Sequence, residues 1–147
     1  MMDELSILNF EQDFNEALAF AEDKRWKVEK IGPLEVIVTV FSQKVPGEIF
    51  FARFFWEIYP GEPPSLKFRD ASSGSYDIPT AWPELRGFRP ASLDACVNWC
   101  IEGFKLHPEW KNDPDKKWNP SGNALLRVIN NLQNELDSYF IRRYIQT

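Results

Sequence analysis

The sequence has few of the residues that build metal sites, disulfide frameworks or histidine-based catalytic sites. Its 147 residues include two cysteines, Cys96 and Cys100, and a single histidine, His107. Two thiols and one imidazole fall short of the ligand set of a structural zinc site. A chain of this length also needs no disulfide for stability, and a reducing compartment keeps thiols free. We therefore expect free thiols, with neither a metal ion nor a cofactor.

Signals that accompany membranes, export and nucleic acids are also missing. No apolar run approaches the roughly 18 residues of a membrane-spanning helix, and the N-terminal MMDELSILNF has acidic residues where a signal peptide has basic ones. The net charge is −5 and basic residues do not cluster, which argues against binding to nucleic-acid phosphates. No glycine-rich phosphate loop occurs. We expect a cytoplasmic protein that contacts neither a membrane nor nucleic acid.

The chain has, instead, a large share of core-forming residues. Hydrophobic residues make up 44% and aromatic residues 15% of the sequence, which is enough to build a core. The length is typical of one domain. Residues 1–147 are therefore expected to fold as a single unit.

Hydrophobic periodicity in the first half of the chain predicts one helix followed by a sheet. Asn9 and Gln12 resemble a helix-capping pair, and apolar residues at helical spacing predict a helix over residues 10–23. The runs WKVEKI, LEVIVTVFS, EIFFARFFWEI and SLKF predict four consecutive strands, joined by turns that contain proline and glycine. Short connections between consecutive strands favour an antiparallel meander.

A second helix is predicted near the end of the chain, over about residues 123–141. Its apolar positions recur at helical spacing along one face: Leu125, Ile129, Leu132, Leu136 and Phe140. Together the elements predict an α+β fold in which both helices pack on the same side of a four-stranded antiparallel sheet.

Both cysteines and the histidine occur in the segment from Phe88 to Trp118, where no period is sustained. Long irregular segments in compact domains are usually functional or disordered. This one is too aromatic for disorder. We expect it to be a packed, functional segment that carries a reactive cysteine.

The order of these parts resembles that of the ubiquitin-conjugating enzymes, in the form of a divergent, bacterial-type member. Tyr59-Pro60, then Pro63-Pro64 and a strand ending at Phe68, match the motif that follows the third strand of that family. Trp118-Asn119-Pro120 before LLRVINNLQNEL is similar to the Trp-x-Pro motif before its next helix. Arg89-Pro90-Ala91 stands where the family has His-Pro-Asn, so the asparagine is missing, and the insertion SSGSYDIPTAWPEL precedes it.

The resemblance implies a UBC-like fold and a transferase activity. Such a protein carries a ubiquitin-like protein as a cysteine thioester and transfers it to an amine of a protein substrate. The implied partners are the ubiquitin-like protein, an E1-like activating enzyme and the protein substrate. The alternative is a catalytically inactive UBC-like domain that binds a ubiquitin-like protein or another protein partner, and an unrelated α+β interaction module is a third interpretation.

Both cysteines are candidates for the nucleophile of such a transfer. The family has an apolar, a small polar and then two apolar residues after its cysteine, and Cys96-Val97-Asn98-Trp99-Cys100 fits this pattern. Cys100 is the alternative, although Gly103 then occupies an apolar position. In a third interpretation both cysteines are ordinary buried residues.

Three further residues are weaker candidates for the site. His107 has the chemistry of a general base, or closes a turn with Pro108. Asp94 and Asn98 flank Cys96 and are able to hydrogen-bond an incoming lysine or the thioester oxygen; Asp94 suits a turn or helix cap equally well. Trp118 is expected to be mostly buried against the segment around Cys96.

Overall fold

The computed structural model describes residues 3–23 and 26–146. Helix α1 (Glu4–Ala21) is followed by strands β1 (Lys27–Gly32), β2 (Glu35–Phe41), β3 (Ile49–Phe55) and β4 (Ser65–Phe68). The two-residue strands β5 (Phe88–Arg89) and β6 (Asp94–Ala95), the short helix α2 (Ile101–Leu106) and helix α3 (Ala124–Tyr139) complete the order. In these ranges no helix has the length and apolar character needed to cross a membrane.

The predicted α+β architecture is confirmed for the two long helices and the main sheet. Strands β1 to β4 pair in sequence order, each antiparallel to the next. Helix α1, however, starts at Glu4, because Asp3 caps it by accepting a hydrogen bond from the Leu5 N–H at 3.2 Å. Asn9 lies inside the helix, so its predicted capping role is wrong.

One face of the main sheet forms the floor of the core, because side chains alternate between the two faces of a strand. Helix α1 contacts β1 and α3, and α3 contacts β2, so both helices cover this face as predicted. The buried side chains on this face of the sheet are Val28, Val36, Val38, Val40, Phe50, Ala52, Phe54, Leu66 and Phe68. The buried residues of α3 that join them are Ala124, Leu125, Val128, Ile129, Leu132 and Leu136.

The connection between β3 and β4 is bound to both long helices through Tyr59. Its hydroxyl donates to Asp13 Oδ2 on α1 at 2.5 Å and accepts from the Leu125 N–H of α3 at 3.1 Å. Its backbone N–H donates to Ser6 Oγ at 3.2 Å. Burial, reinforced by the hydrogen bond to Asp13, raises the pKa of Tyr59 far above its ordinary value, so the hydroxyl keeps its proton.

The segment between β4 and α3 contains more regular structure than its sequence predicts. A row of aromatic rings extends the core from β4 into it, with centroid separations of 4.8 Å for Phe68–Trp82, 6.0 Å for Trp82–Phe88 and 6.2 Å for Phe88–Trp99. Trp82 belongs to the insertion and is fully buried. The insertion therefore supplies core to the cysteine-bearing segment.

We expect Tyr59→Phe to lower the free energy of unfolding by about 1–3 kcal/mol, because it removes two hydrogen bonds and leaves the buried Leu125 N–H without a partner. Urea melts monitored by tryptophan fluorescence measure the difference. The matched control is Tyr139→Phe, since that ring is 45% exposed and keeps its stacking with Arg86. Equal losses in the two variants would contradict a structural role for the Tyr59 hydroxyl.

Candidate functional site

Cys96 lies at the end of a small hairpin formed by β5 and β6. Phe88 pairs with Ala95 and Arg89 pairs with Asp94. The Cys96 N–H then donates to the Gly87 carbonyl at 2.7 Å, which extends the pairing by one residue on each strand. Cys96 is thus held by the backbone pairing of the hairpin and does not lie in an unpaired loop.

The two faces of the hairpin have different environments. Phe88 and Ala95 point into the core and are 8% and 0% exposed. By alternation, Arg89, Asp94 and Cys96 share the outer face. Gly87 stands opposite Cys96, and Cys96 is partly exposed. The hairpin therefore presents a sulfur, a cation and a carboxylate on one open face.

Arg89 and Asp94 form a bidentate ion pair on this face. Arg89 Nε lies 2.8 Å from Asp94 Oδ1, and Nη2 lies 3.0 Å from Oδ2. The hydrogen bond to Asp94, followed by the carboxylate charge, raises the pKa of Arg89, and the Cys96 sulfur acts in the same direction. Arg89 was not predicted as a site residue. The signal for it is an arginine and an aspartate on either side of a proline-initiated turn.

The turn of the hairpin is held by β4. Residues Pro90–Ser92 form a single helical turn, and Leu93 then adopts a left-handed backbone conformation with φ of 59°. Lys67 Nζ donates to the Leu93 carbonyl at 2.6 Å. Because a left-handed conformation costs free energy in a residue with a side chain, this charged hydrogen bond helps to fix the turn that positions Arg89 and Asp94.

Cys100 occupies a different environment from Cys96. It is the residue before α2, it is 0% exposed, and it belongs to the main core. Burial, followed by the negative charge of Glu102, raises the pKa of Cys100 well above its ordinary value. Its thiol is therefore protonated and out of reach of a protein partner, whereas that of Cys96 is open to one.

Helix α2 is seated against both the hairpin and the edge of the main sheet. A Cβ atom on Gly103 would lie 2.1 Å from the Val97 carbonyl oxygen, so only glycine permits this approach. The Ile101 N–H donates to the Pro64 carbonyl at 2.7 Å. The Glu102 carboxylate accepts from Ser65 Oγ at 2.5 Å and from the Leu66 N–H at 3.2 Å. The two residues that follow Cys100 are thus anchored to β4 and to the proline that precedes it.

The weaker sequence candidates lie in different places. Asp94 shares the outer face with Cys96, where it binds Arg89 instead of capping a helix. Asn98 donates to the Lys116 carbonyl at 3.3 Å. The His107 ring stacks on Trp110, with centroids 4.4 Å apart and planes at 15°, and its Nδ1 lies 3.5 Å from Glu109 Oε2. These contacts of His107 are those of a residue that closes the turn after α2.

Trp118 contacts the β3–β4 connection. It is partly buried and packs against the main core, its Nε1 donates to the Pro60 carbonyl at 2.8 Å, and the Arg127 guanidinium lies 4.8 Å from its ring centre. The side chain thus covers part of the core and braces this connection. Its expected contact with the segment around Cys96 stays a prediction.

In the described ranges, no cluster of three or more histidine, cysteine, aspartate and glutamate side chains is arranged to hold a metal ion. Comparison of the chain with protein-family models, with curated proteins and with solved structures gave no match. The chemistry of the site is therefore argued from its own geometry.

We expect a disulfide reagent such as dithionitrobenzoate to modify one thiol rapidly in the native protein and the second only after unfolding in guanidinium, because burial shields Cys100. Absorbance at the wavelength of the released thiolate counts the reacted thiols. Cys96→Ser should remove the rapid phase, and Cys100→Ala should keep it. Two rapid thiols in the wild type would contradict the assignment.

We expect Gly103→Ala to destabilise the protein by about 1–3 kcal/mol, because the new methyl group collides with the Val97 carbonyl. In an unobstructed helix the same change is stabilising, so the sign of the effect reports the close approach. Gly47→Ala is the control, since a Cβ atom there meets nothing within 4 Å. A stable Gly103→Ala variant in denaturant melts would show that α2 does not press on the hairpin.

Proposed function

We propose that the protein is an E2-like transferase of a divergent UBC-like type, which carries a ubiquitin-like protein on Cys96 and passes it to an amine. The observation that carries the proposal is the placement of Cys96 on the open face of the hairpin while Cys100 is buried. A thiol that exchanges thioesters between two large proteins must be reachable from outside. Cys96 meets this requirement, and it is also the residue favoured by the resemblance.

The order of the elements supports the same proposal. Helix α1, the four-stranded meander, the Tyr59-Pro60 and Pro63-Pro64 connection, a cysteine-bearing segment and helix α3 follow in the order that the resemblance implies. Trp118 of the second motif contacts Pro60 of the first through its Nε1–H. The two motifs on which the resemblance depends are thus in direct contact.

The proposed chemistry needs no resident cofactor. ATP is consumed when the activating enzyme forms its own thioester with the ubiquitin-like protein. The Cys96 thiolate then attacks the thioester carbonyl carbon, the new S–C bond forms, and the thiolate of the activating enzyme leaves. An amine of the protein substrate later attacks the Cys96 thioester in the same way. We place these steps in the cytoplasm, where free thiols persist.

The absence of the asparagine of the His-Pro-Asn motif is expected to affect these two steps differently. Transthiolation exchanges one thioester for another of similar energy, so it depends mostly on positioning. Attack by an amine passes through a more demanding tetrahedral intermediate, whose oxyanion the asparagine is credited with stabilising in the resembled family. We therefore expect transfer onto Cys96 to be faster than discharge to free lysine.

The test is the formation of a reductant-sensitive adduct from the purified protein, ATP, and the cognate activating enzyme and ubiquitin-like protein. We expect Cys100→Ala to form the adduct and Cys96→Ala to form none, because Cys96 is partly exposed whereas Cys100 is buried. Cys96→Ser should give a small amount of adduct that survives reductant, since an oxygen ester is not cleaved by thiols. Non-reducing gel electrophoresis resolves the species.

Two results would overturn the proposal. One is an adduct that persists in both alanine variants. The other is a wild-type protein that never accepts the ubiquitin-like protein although the activating enzyme is visibly charged; binding of the ubiquitin-like protein without transfer would then identify the non-catalytic alternative.

A further inference from the structure

We infer that Arg89 is the charge-stabilising residue of the proposed transfer and acts directly on the reacting sulfur of Cys96, while Asp94 positions Arg89 and limits its free charge. The inference rests on the proposed function for its catalytic part. The effect of Arg89 on Cys96 is, however, a property of the hairpin and is measurable without any partner.

The geometry of the ladder brings the two side chains together. Arg89 pairs with Asp94, and Cys96 pairs with Gly87 through its N–H. Arg89 and Cys96 are therefore diagonal neighbours on the outer face, a relationship that spans about 7–8 Å between backbones and lies within reach of a long side chain.

The ion pair leaves Arg89 able to serve a second partner. Asp94 occupies Nε and one hydrogen of Nη2, whereas a guanidinium has five N–H donors. The Arg89 side chain is 46% exposed, and that of Asp94 is 15% exposed. The carboxylate is thus the more fixed member of the pair. Arg89 is oriented by it and still presents donors to an incoming thioester.

The charge that develops during transfer passes beside this guanidinium. Cys96 gives up its proton and attacks the carbonyl carbon, so negative charge moves from the sulfur to the carbonyl oxygen. The negative charge ends on the departing thiolate of the activating enzyme, which takes up a proton. No electrons are gained or lost. The first two positions adjoin Cys96, where a cation lowers the free energy of the charged states. Arg89 would thereby stabilise the negative charge in the step that loads Cys96.

The test compares alkylation of Cys96 by an anionic reagent, iodoacetate, and by its neutral analogue, iodoacetamide, at low ionic strength. Peptide mass spectrometry assigns the modified cysteine. We expect Arg89→Gln to lower the iodoacetate-to-iodoacetamide rate ratio about two- to sixfold, the size of one charge interaction at this separation in a solvated site. Arg89→Lys should retain most of the ratio, because it keeps the charge.

Asp94→Asn supplies the matched comparison. It breaks the same ion pair but releases the cation, so we expect the ratio to rise, and about 0.5 M salt should reduce both effects. A purely structural role for the pair predicts changes in the same direction in both variants. An unchanged ratio in Arg89→Gln, or shifts of the same sign in the two variants, would overturn the charge role of Arg89.

The conjugation assay separates this inference from the proposed function. In it we expect Arg89→Gln to slow transfer onto Cys96 by a similar factor, with Arg89→Lys close to the wild type. Equal transfer rates in Arg89→Gln and the wild type would overturn the catalytic part of the inference. Absence of transfer in every protein, together with the expected alkylation ratios, would refute the proposed function and leave the effect of Arg89 on Cys96 established.

Discussion

The structure depends on the two hydrogen bonds of a single phenolic hydroxyl. Tyr59 links α1 through Asp13 and α3 through the Leu125 N–H, although these helices lie at opposite ends of the sequence. Asn123 strengthens the junction: its Nδ2 donates to the Asp13 carbonyl at 3.0 Å, and its Oδ1 caps α3 by accepting from the Leu126 N–H at 2.9 Å. Burial, the largest effect, raises the pKa of Asp13. Protonation of Asp13 therefore favours the folded state. This contribution to stability is full below the pKa of the unfolded chain and decreases as the pH rises through the pKa of the folded protein.

The hairpin of β5 and β6 is positioned by helix α2 and strand β4. Helix α2 presses on Val97 at a distance that only Gly103 allows, and Glu102 satisfies donors at the edge of β4. Lys67, also on β4, holds the turn at Leu93. Rigid support of this kind is what a reactive group on a short hairpin requires, because a hairpin of two-residue strands is not stable by itself.

The parts of the fold that could be predicted from the sequence are those in which a strand or helix period is sustained over several residues. Helices α1 and α3 and strands β1 to β4 were predicted because their alternating or helical apolar patterns are dictated by burial on one face. The short elements between β4 and α3 depend on contacts with distant residues, such as the aromatic row through Trp82 and the approach of Gly103 to Val97. No local pattern encodes these contacts. The Arg89–Asp94 pair likewise requires the hairpin register, which the sequence alone does not specify.

The two cysteines show how the candidate site depends on structure that local sequence patterns do not specify. At a spacing of four residues, thiols on a helix would share one face, and the sequence distinguished the two cysteines only through the residues that follow each of them. In the structure Cys96 continues an extended strand, and the chain then turns so that the Cys100 N–H donates weakly to the Val97 carbonyl at 3.4 Å. Cys96 is left partly exposed, whereas Cys100 is buried in the core. The difference in reactivity proposed for the two thiols thus originates in backbone geometry, and their chemistry is otherwise identical.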